Sequence, residues 1–217
     1  MHFKDRSEAG QLLAQALKKY QDQPVVVYAI PRGGVVTAVE IARLLHAPLD
    51  LIISRKIGHP YQPEYAIAAV AEDGHMLGSK EELQAVDPHW LAAEVASQRR
   101  EAKRRREHYL KNRPEIPVQG KIAILVDDGI ATGTTMRLGI QELKHRQCKK
   151  IIVAVPVAPK STADLIKKEA GEIVALDIPQ DFSYLGAVGA YYSDFAQVED
   201  EEVIALLDQY AKESSQQ

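Results

Sequence analysis

The run ILVDDGIATGTTM, Ile124 to Met136, passes from apolar to acidic to hydroxyl-rich residues without a break. Lys121 to Val126 (KIAILV) is an apolar, β-branched stretch with the length of a strand buried on both faces. Asp127 and Asp128 follow at its carboxyl end, the edge where open α/β sheets receive ligands. Ala131, Thr132, Gly133, Thr134 and Thr135 then offer backbone N–H groups, small side chains and hydroxyls leading into a helix from Thr134 to Arg146. A helix N-terminus of that composition suits a phosphate monoester. Carboxylates would repel a phosphate they touched; set a few ångströms away, they accept hydrogen bonds from a diol instead. One sugar phosphate would satisfy both halves. The competing P-loop pattern is not met, because Gly120-Lys121 stands before the strand and is followed by Ile122.

Working outward, Val25 to Ile30 (VVVYAI) is a second buried strand, broken by Pro31-Arg32-Gly33-Gly34 before a helix from Val35 to His46 and a strand over Leu49 to Ile53. Lys150 to Val155 gives another strand, and Ser161 to Ala170 followed by Glu172 to Ile178 repeats the helix–strand alternation. The first twenty residues read as an amphipathic helix covering one sheet face, and Asp200 to Tyr210 as the last helix. Alternation of this kind predicts an α/β fold: a central parallel sheet flanked by helices on both faces, joined by right-handed crossovers. No repeat or linker divides the chain, so residues 1–217 are read as one domain. Residues 54–62 carry glycine, histidine and proline, with a second proline at Pro63, and read as an exposed loop; Glu64 to Leu77 reads as a small hairpin turning at Asp73-Gly74. Asp87 as N-cap and Pro88 as first residue open a long charged helix over about 87–112.

The VDDGIATGTTM segment resembles the ribose-5-phosphate motif of the type I phosphoribosyltransferases, and with the IPRGG segment it carries a resemblance over most of the chain. The match is to predicted bacterial phosphoribosyltransferases of uncertain substrate. The resemblance implies a small hood at about 180–198 and a mobile loop at about 54–66. It implies phosphoribosyl binding by Asp127, Asp128, Ala131, Thr132, Gly133, Thr134 and Thr135, and pyrophosphate binding by Pro31, Arg32, Gly33, Gly34 and Arg55. The chemistry of those residues agrees: glycines let the backbone approach a ligand, and Arg32 offers a planar cation. Asp127, Asp128, Lys56 and Glu64 are the candidate catalytic residues, with His59 a further proton carrier; Tyr61 and Tyr65 share their segment. Mg²⁺ would be held mainly through the substrate, with no direct protein ligand assigned. Transfer of ribose 5-phosphate from phosphoribosyl pyrophosphate to a nitrogenous acceptor, a nucleobase as in purine salvage, is the implied reaction. Relatives using 6-oxopurines usually place an aspartate where this chain has Ala131, and adenine-type relatives are more similar there. Phe182, Tyr184, Tyr191, Tyr192 and Phe195 could stack on an acceptor or serve as core. A non-catalytic sensor of the same ligand that binds nucleic acid is the alternative.

The chain's net charge of −3 and 46% hydrophobic content favour neither a nucleic-acid nor a membrane partner. The local exception is Arg99, Arg100, Lys103, Arg104, Arg105 and Arg106, interrupted by Glu94, Glu101 and Glu107, which reads as a solvated or subunit-contacting helix face. Cys148 is the only cysteine, so no internal disulfide forms and multi-cysteine zinc sites are excluded. With no signal-peptide or membrane-spanning pattern, a cytoplasmic protein is expected. Oligomeric state stays open, a homodimer included.

Overall fold

Two fully buried strands, β1 (Val25–Ala29) and β6 (Ile122–Val126), lie side by side in parallel, with Val25 opposite Ile122 and Ala29 opposite Val126. This register brings the segments after Ala29 and after Val126 to one edge of the sheet, where the Ile30 N–H donates to Val126 O at 2.9 Å. The computed structural model, which describes residues 1–111 and 113–215, completes a five-stranded all-parallel sheet with β2 (Leu49–Leu51), β7 (Lys150–Val157) and β8 (Gly171–Asp177) in the order β2-β1-β6-β7-β8.

Because successive side chains of a strand point to opposite faces, β1 and β6 feed two cores. Val25, Val27, Ala29, Ile122, Ile124 and Val126 meet helices α1 (Arg6–Ala16), α2 (Gly33–Leu45) and α7 (Asp200–Ser214), through residues such as Leu13, Val39, Ile41 and Leu207. Val26, Tyr28, Ala123 and Leu125 meet α5 (Thr134–His145) and α6 (Lys160–Ala170), through Met136, Ile140, Leu143 and Ile166. The expected parallel sheet with helices on both faces is what forms.

Residues 54–62 form no exposed loop. β3 (Ser54–His59), β4 (Gln62–Ala71) and β5 (Met76–Gly78) make a three-stranded antiparallel sheet inserted between β2 and β6. The outer end of the hairpin, residues 61–66, is exposed and gives the segment the polar composition of a loop; nearer the body both faces are covered, Ile57, Ile67, Ala68 and Val70 against Trp90, Leu91 and Val95, and Ala69 and Ala71 against Leu138 of α5. The expected hairpin turning at Asp73-Gly74 is present between β4 and β5. A short helix, α3 (Lys80–Ala85), precedes α4 (Pro88–Leu110). Asp87 caps α4 by accepting the Trp90 N–H at 2.8 Å, with Pro88 in the first turn as the sequence requires. The expected last residue of that helix, Asn112, lies outside the described residues.

The arginines of α4 are largely engaged within the protein. Arg99 donates to the carbonyls of Glu72 (3.3 Å) and Asp73 (3.2 Å), Arg104 and Arg105 pair with Glu101, and Arg106 pairs with buried Asp50 and donates to Leu51 O at 2.8 Å. The positive run stitches α4 to the inserted sheet and to β2. No helix among the described residues is long and apolar enough to cross a membrane.

Candidate functional site

Asp127 and Asp128 leave β6 half-buried at the sheet edge. The Asp128 N–H donates to Asp127 Oδ1 at 2.8 Å, so the first acid is turned back over the second. Burial, and then the neighbouring Asp128 carboxylate, push the Asp127 carboxyl well above its usual range. Asp128 Oδ2 accepts from Arg6 Nε at 2.7 Å, and Asp128 O accepts from the Tyr192 hydroxyl at 2.6 Å. Neither partner was legible in the sequence.

Beyond the acids, the chain bends through Gly129 and Gly133, both at positive φ (155° and 79°). The Ile130 N–H donates to Val157 O at 2.8 Å and Thr162 Oγ1 donates to Ala131 O at 3.0 Å, which pins the loop to β7 and α6. Ala131, Thr132, Thr134 and Thr135 remain exposed. Among the described residues, the backbone N–H groups of Ala131 through Thr135 have no acceptor. They sit at the N-terminus of α5, where the helix dipole adds to their attraction for an anion.

The segment after β1 presses against the acids from the neighbouring strand. Gly33 and Gly34 are not loop residues but the first turn of α2. A Cβ on Gly33 would overlap the Asp128 carboxylate, with Cγ only 2.7 Å away, and one on Gly34 would stand 2.9 Å from Asp127 Cα. Only glycine lets the helix start so close to the acid pair. The Pro31–Arg32 peptide is cis. Arg32 reaches Glu199 and Asp200 at 3.5 and 3.6 Å, distances that leave its guanidinium loosely held.

The remaining predicted residues stand on the inserted sheet. Arg55 Nε donates to Gln98 Oε1 at 3.1 Å, and burial, followed by repulsion from Arg105, lowers its pKa. Lys56 pairs with Glu64 at 3.0 Å on the exposed face. Among the described residues no hydrogen bond or ion pair joins Arg55, Lys56 or Glu64 to the acid pair. In the hood region the five aromatics separate: Tyr191 and Tyr192 are core, Tyr184 and Phe195 are half-buried, and Phe182 is 91% exposed. Tyr191 and Tyr192 therefore offer no free stacking surface. The site is an open rim; the 590 Å³ groove between α1 and α2, lined by Glu8, Leu12, Glu40 and Arg43, shares no residue with it.

A five-stranded parallel sheet with paired acids ending one strand, a glycine-started helix against them and a Thr-Gly turn beyond defines a type I phosphoribosyltransferase fold. The chain belongs to the phosphoribosyl transferase domain family, whose model matches residues 5–185. A provisionally named phosphoribosyl transferase of Mycobacterium tuberculosis H37Rv, Rv0571c, is 39% identical over 208 residues, covering 95% of this chain and 46% of that protein. Its counterpart MT0597 from strain CDC 1551 matches to the same extent. The chain thus spans about half the length of the curated relatives it matches. The crystal structure of TT1426 from Thermus thermophilus is similar at 42% identity and a TM-score of 0.80, covering 97% of this chain and 99% of that one.

Proposed function

We propose that the protein transfers ribose 5-phosphate from phosphoribosyl pyrophosphate to a nitrogenous acceptor, a nucleobase, releasing pyrophosphate in the cytoplasm. One observation carries this reading: the unpartnered N–H groups of Ala131 through Thr135 stand directly beyond the Asp127–Asp128 pair on one short turn. A dianionic 5-phosphate satisfies the first group and a ribose diol the second, and a phosphoribosyl compound presents both.

In this reading Thr132, Gly133, Thr134 and Thr135 bind the phosphate, with Ala131 leaving room beside it. Asp127 and Asp128 take the ribose hydroxyls and hold negative charge near the anomeric carbon as its bond to pyrophosphate breaks. The transition state there is oxocarbenium-like, so positioning and neutralisation of the leaving group supply most of the catalysis. Pro31, Arg32, Gly33 and Gly34 face the pyrophosphate. Arg32, held only at 3.5 and 3.6 Å by its acids, is free to exchange them for phosphate oxygens. Arg55 lies against like charge from Arg105, an environment that a phosphate would relieve. The attacking nitrogen closes on the opposite face and gives up its proton; Glu64, paired with Lys56, or His59 takes it if the inserted hairpin folds over the ligand. Mg²⁺ would be held mainly through the ligand's own phosphate and hydroxyl oxygens, since among the described residues no group of three or more His, Cys, Asp or Glu side chains is placed to hold a metal ion.

Isothermal titration with phosphoribosyl pyrophosphate and Mg²⁺, followed by pyrophosphate release across a panel of nucleobases, tests the proposal. Micromolar binding with release on one base supports it; absence of binding at millimolar ligand overturns it.

A further inference from the structure

Arg6 is the first residue of α1, yet its guanidinium ends in the middle of the acid site. Its side chain is only 11% exposed and makes three contacts there. Nε donates to Asp128 Oδ2 at 2.7 Å, Nη1 donates to Ala196 O at 2.8 Å, and the guanidinium carbon lies 3.7 Å from the centre of the Phe195 ring. The segment before it is fixed as well. The Phe3 N–H donates to Tyr191 O at 2.8 Å, Phe3 O accepts from the Ser193 N–H at 2.8 Å, and Lys4 O accepts from the Asp194 N–H at 2.9 Å. The N-terminal strap therefore runs as one piece with residues 191–196, and Arg6 is where that piece touches the acid pair.

We propose that Arg6 is a positioning residue for sugar binding: it fixes the Asp128 carboxylate, supplies the positive charge beside the two acids, and couples the acid pair to the hood at residues 191–196. This rests on the reading of Asp127 and Asp128 as the ribose-binding pair.

Two adjacent carboxylates at a half-buried edge resist ionising together, because each raises the cost of charging the other. Four titratable groups meet here: Asp127 and Asp128 from the end of β6, Arg6 from α1 and Tyr192 from the hood. Tyr192 stays a neutral donor to Asp128 O, its hydroxyl held well above the ordinary range first by burial and then by Asp128. Arg6 is thus the one cation in the group, and its loss makes a proton shared between the carboxylates harder to remove. A shared proton turns one acceptor into a donor and loosens the grip on a diol. The Phe195 stack and the Ala196 carbonyl hold the guanidinium plane, so the orientation of Asp128 follows the position of the hood.

The test compares wild type with Arg6→Gln and Arg6→Lys. In the ligand-free proteins, carboxyl ¹³C signals of Asp127 and Asp128 are titrated by NMR from about pH 3 to 9; the upper midpoint of the pair should rise by about one unit in R6Q and return most of the way in R6K. Binding of phosphoribosyl pyrophosphate with Mg²⁺ should weaken roughly tenfold in R6Q below the upper midpoint that the NMR titration finds for that variant, and less above it. Circular dichroism confirms that each variant is folded, and R6K serves if R6Q is not. An unchanged carboxyl titration in a folded variant overturns the proposal. So does a shifted titration with a loss of affinity that is equal at every pH. If wild type itself binds no phosphoribosyl pyrophosphate, the ribose reading fails, while the ligand-free titration still decides what Arg6 does to the pair.

Discussion

Gly33, the first residue of α2, and Asp128, just past the end of β6, lie so close that a single added carbon on Gly33 would overlap the carboxylate. Gly33 starts a helix without a positive φ, so alanine there is favourable for the backbone by about 1 kcal/mol and harmful only through the contact. Gly33→Ala is therefore expected to push Asp128 off Arg6 while leaving α2 intact. Titration calorimetry should show phosphoribosyl pyrophosphate binding weakened on the order of 10- to 100-fold, a loss of about 1.4–2.8 kcal/mol. Affinity within a factor of about two of wild type would show that Asp128 can move without cost.

The acids and the Thr-Gly turn were legible in the sequence because everything that makes them is local: an apolar run, two charges, then small and hydroxylated residues within one strand–turn–helix unit. The same holds for the cap at Asp87 and the parallel alternation of β6, α5, β7 and α6. Arg6 was not legible, since 122 positions separate it from Asp128 and no periodicity connects them. The hairpin over β3 and β4 is hidden in the sequence because residues 61–66 at its outer end are exposed and Ile57 is the only aliphatic side chain in residues 54–62. The run of arginines on α4 reads as a solvated or subunit-contacting face, and its sequence gives no sign that Arg99 and Arg106 end on carbonyls of Glu72, Asp73 and Leu51, acceptors that only the tertiary fold brings near.

Gly133 carries a different constraint. With φ at 79° it caps α5 in the left-handed region, and a Cβ would also meet Thr162 Cγ2 at 2.8 Å. The backbone strain of alanine there is about 1–2 kcal/mol. Gly133→Ala is expected to lower the melting temperature by about 2–8 °C, the range that such an energy gives in a chain of this size. Displacing Thr162 also disturbs its bond to Ala131 O, so ribose 5-phosphate affinity should fall with stability. A variant that melts early but binds ribose 5-phosphate normally would place the phosphate away from this turn.

Tyr192 separates packing from hydrogen bonding. Its ring is buried against Phe3 and Phe195, and its hydroxyl donates to Asp128 O at 2.6 Å. Phenylalanine preserves the packing and leaves the carbonyl without that donor, a cost of about 1–3 kcal/mol. Chemical denaturation of Tyr192→Phe should report that loss with an unchanged slope. Because Asp128 keeps Arg6, the carboxyl titration of the acid pair should move far less than in R6Q.

Glu142 sets the expected dependence of stability on pH. It is 1% exposed on α5, where burial pushes its carboxyl up to about 7 from the usual 4.5. Arg146 offsets part of this, but Glu115 shares the same guanidinium, and Asp73 and Glu72 add negative charge nearby. Between pH 4.5 and about 7 the folded protein then binds more protons at this residue than the unfolded chain does. Stability contributed here is present at low pH and is lost as pH rises through about 7, by up to about 3 kcal/mol. Glu142→Gln removes the titration and keeps a polar group of the same shape beside Arg146. Urea denaturation at about pH 5.5 and about pH 8 should show the wild type losing more stability than the variant over that interval. A parallel decline of both proteins would mean that Glu142 is ionised throughout and fully compensated by Arg146.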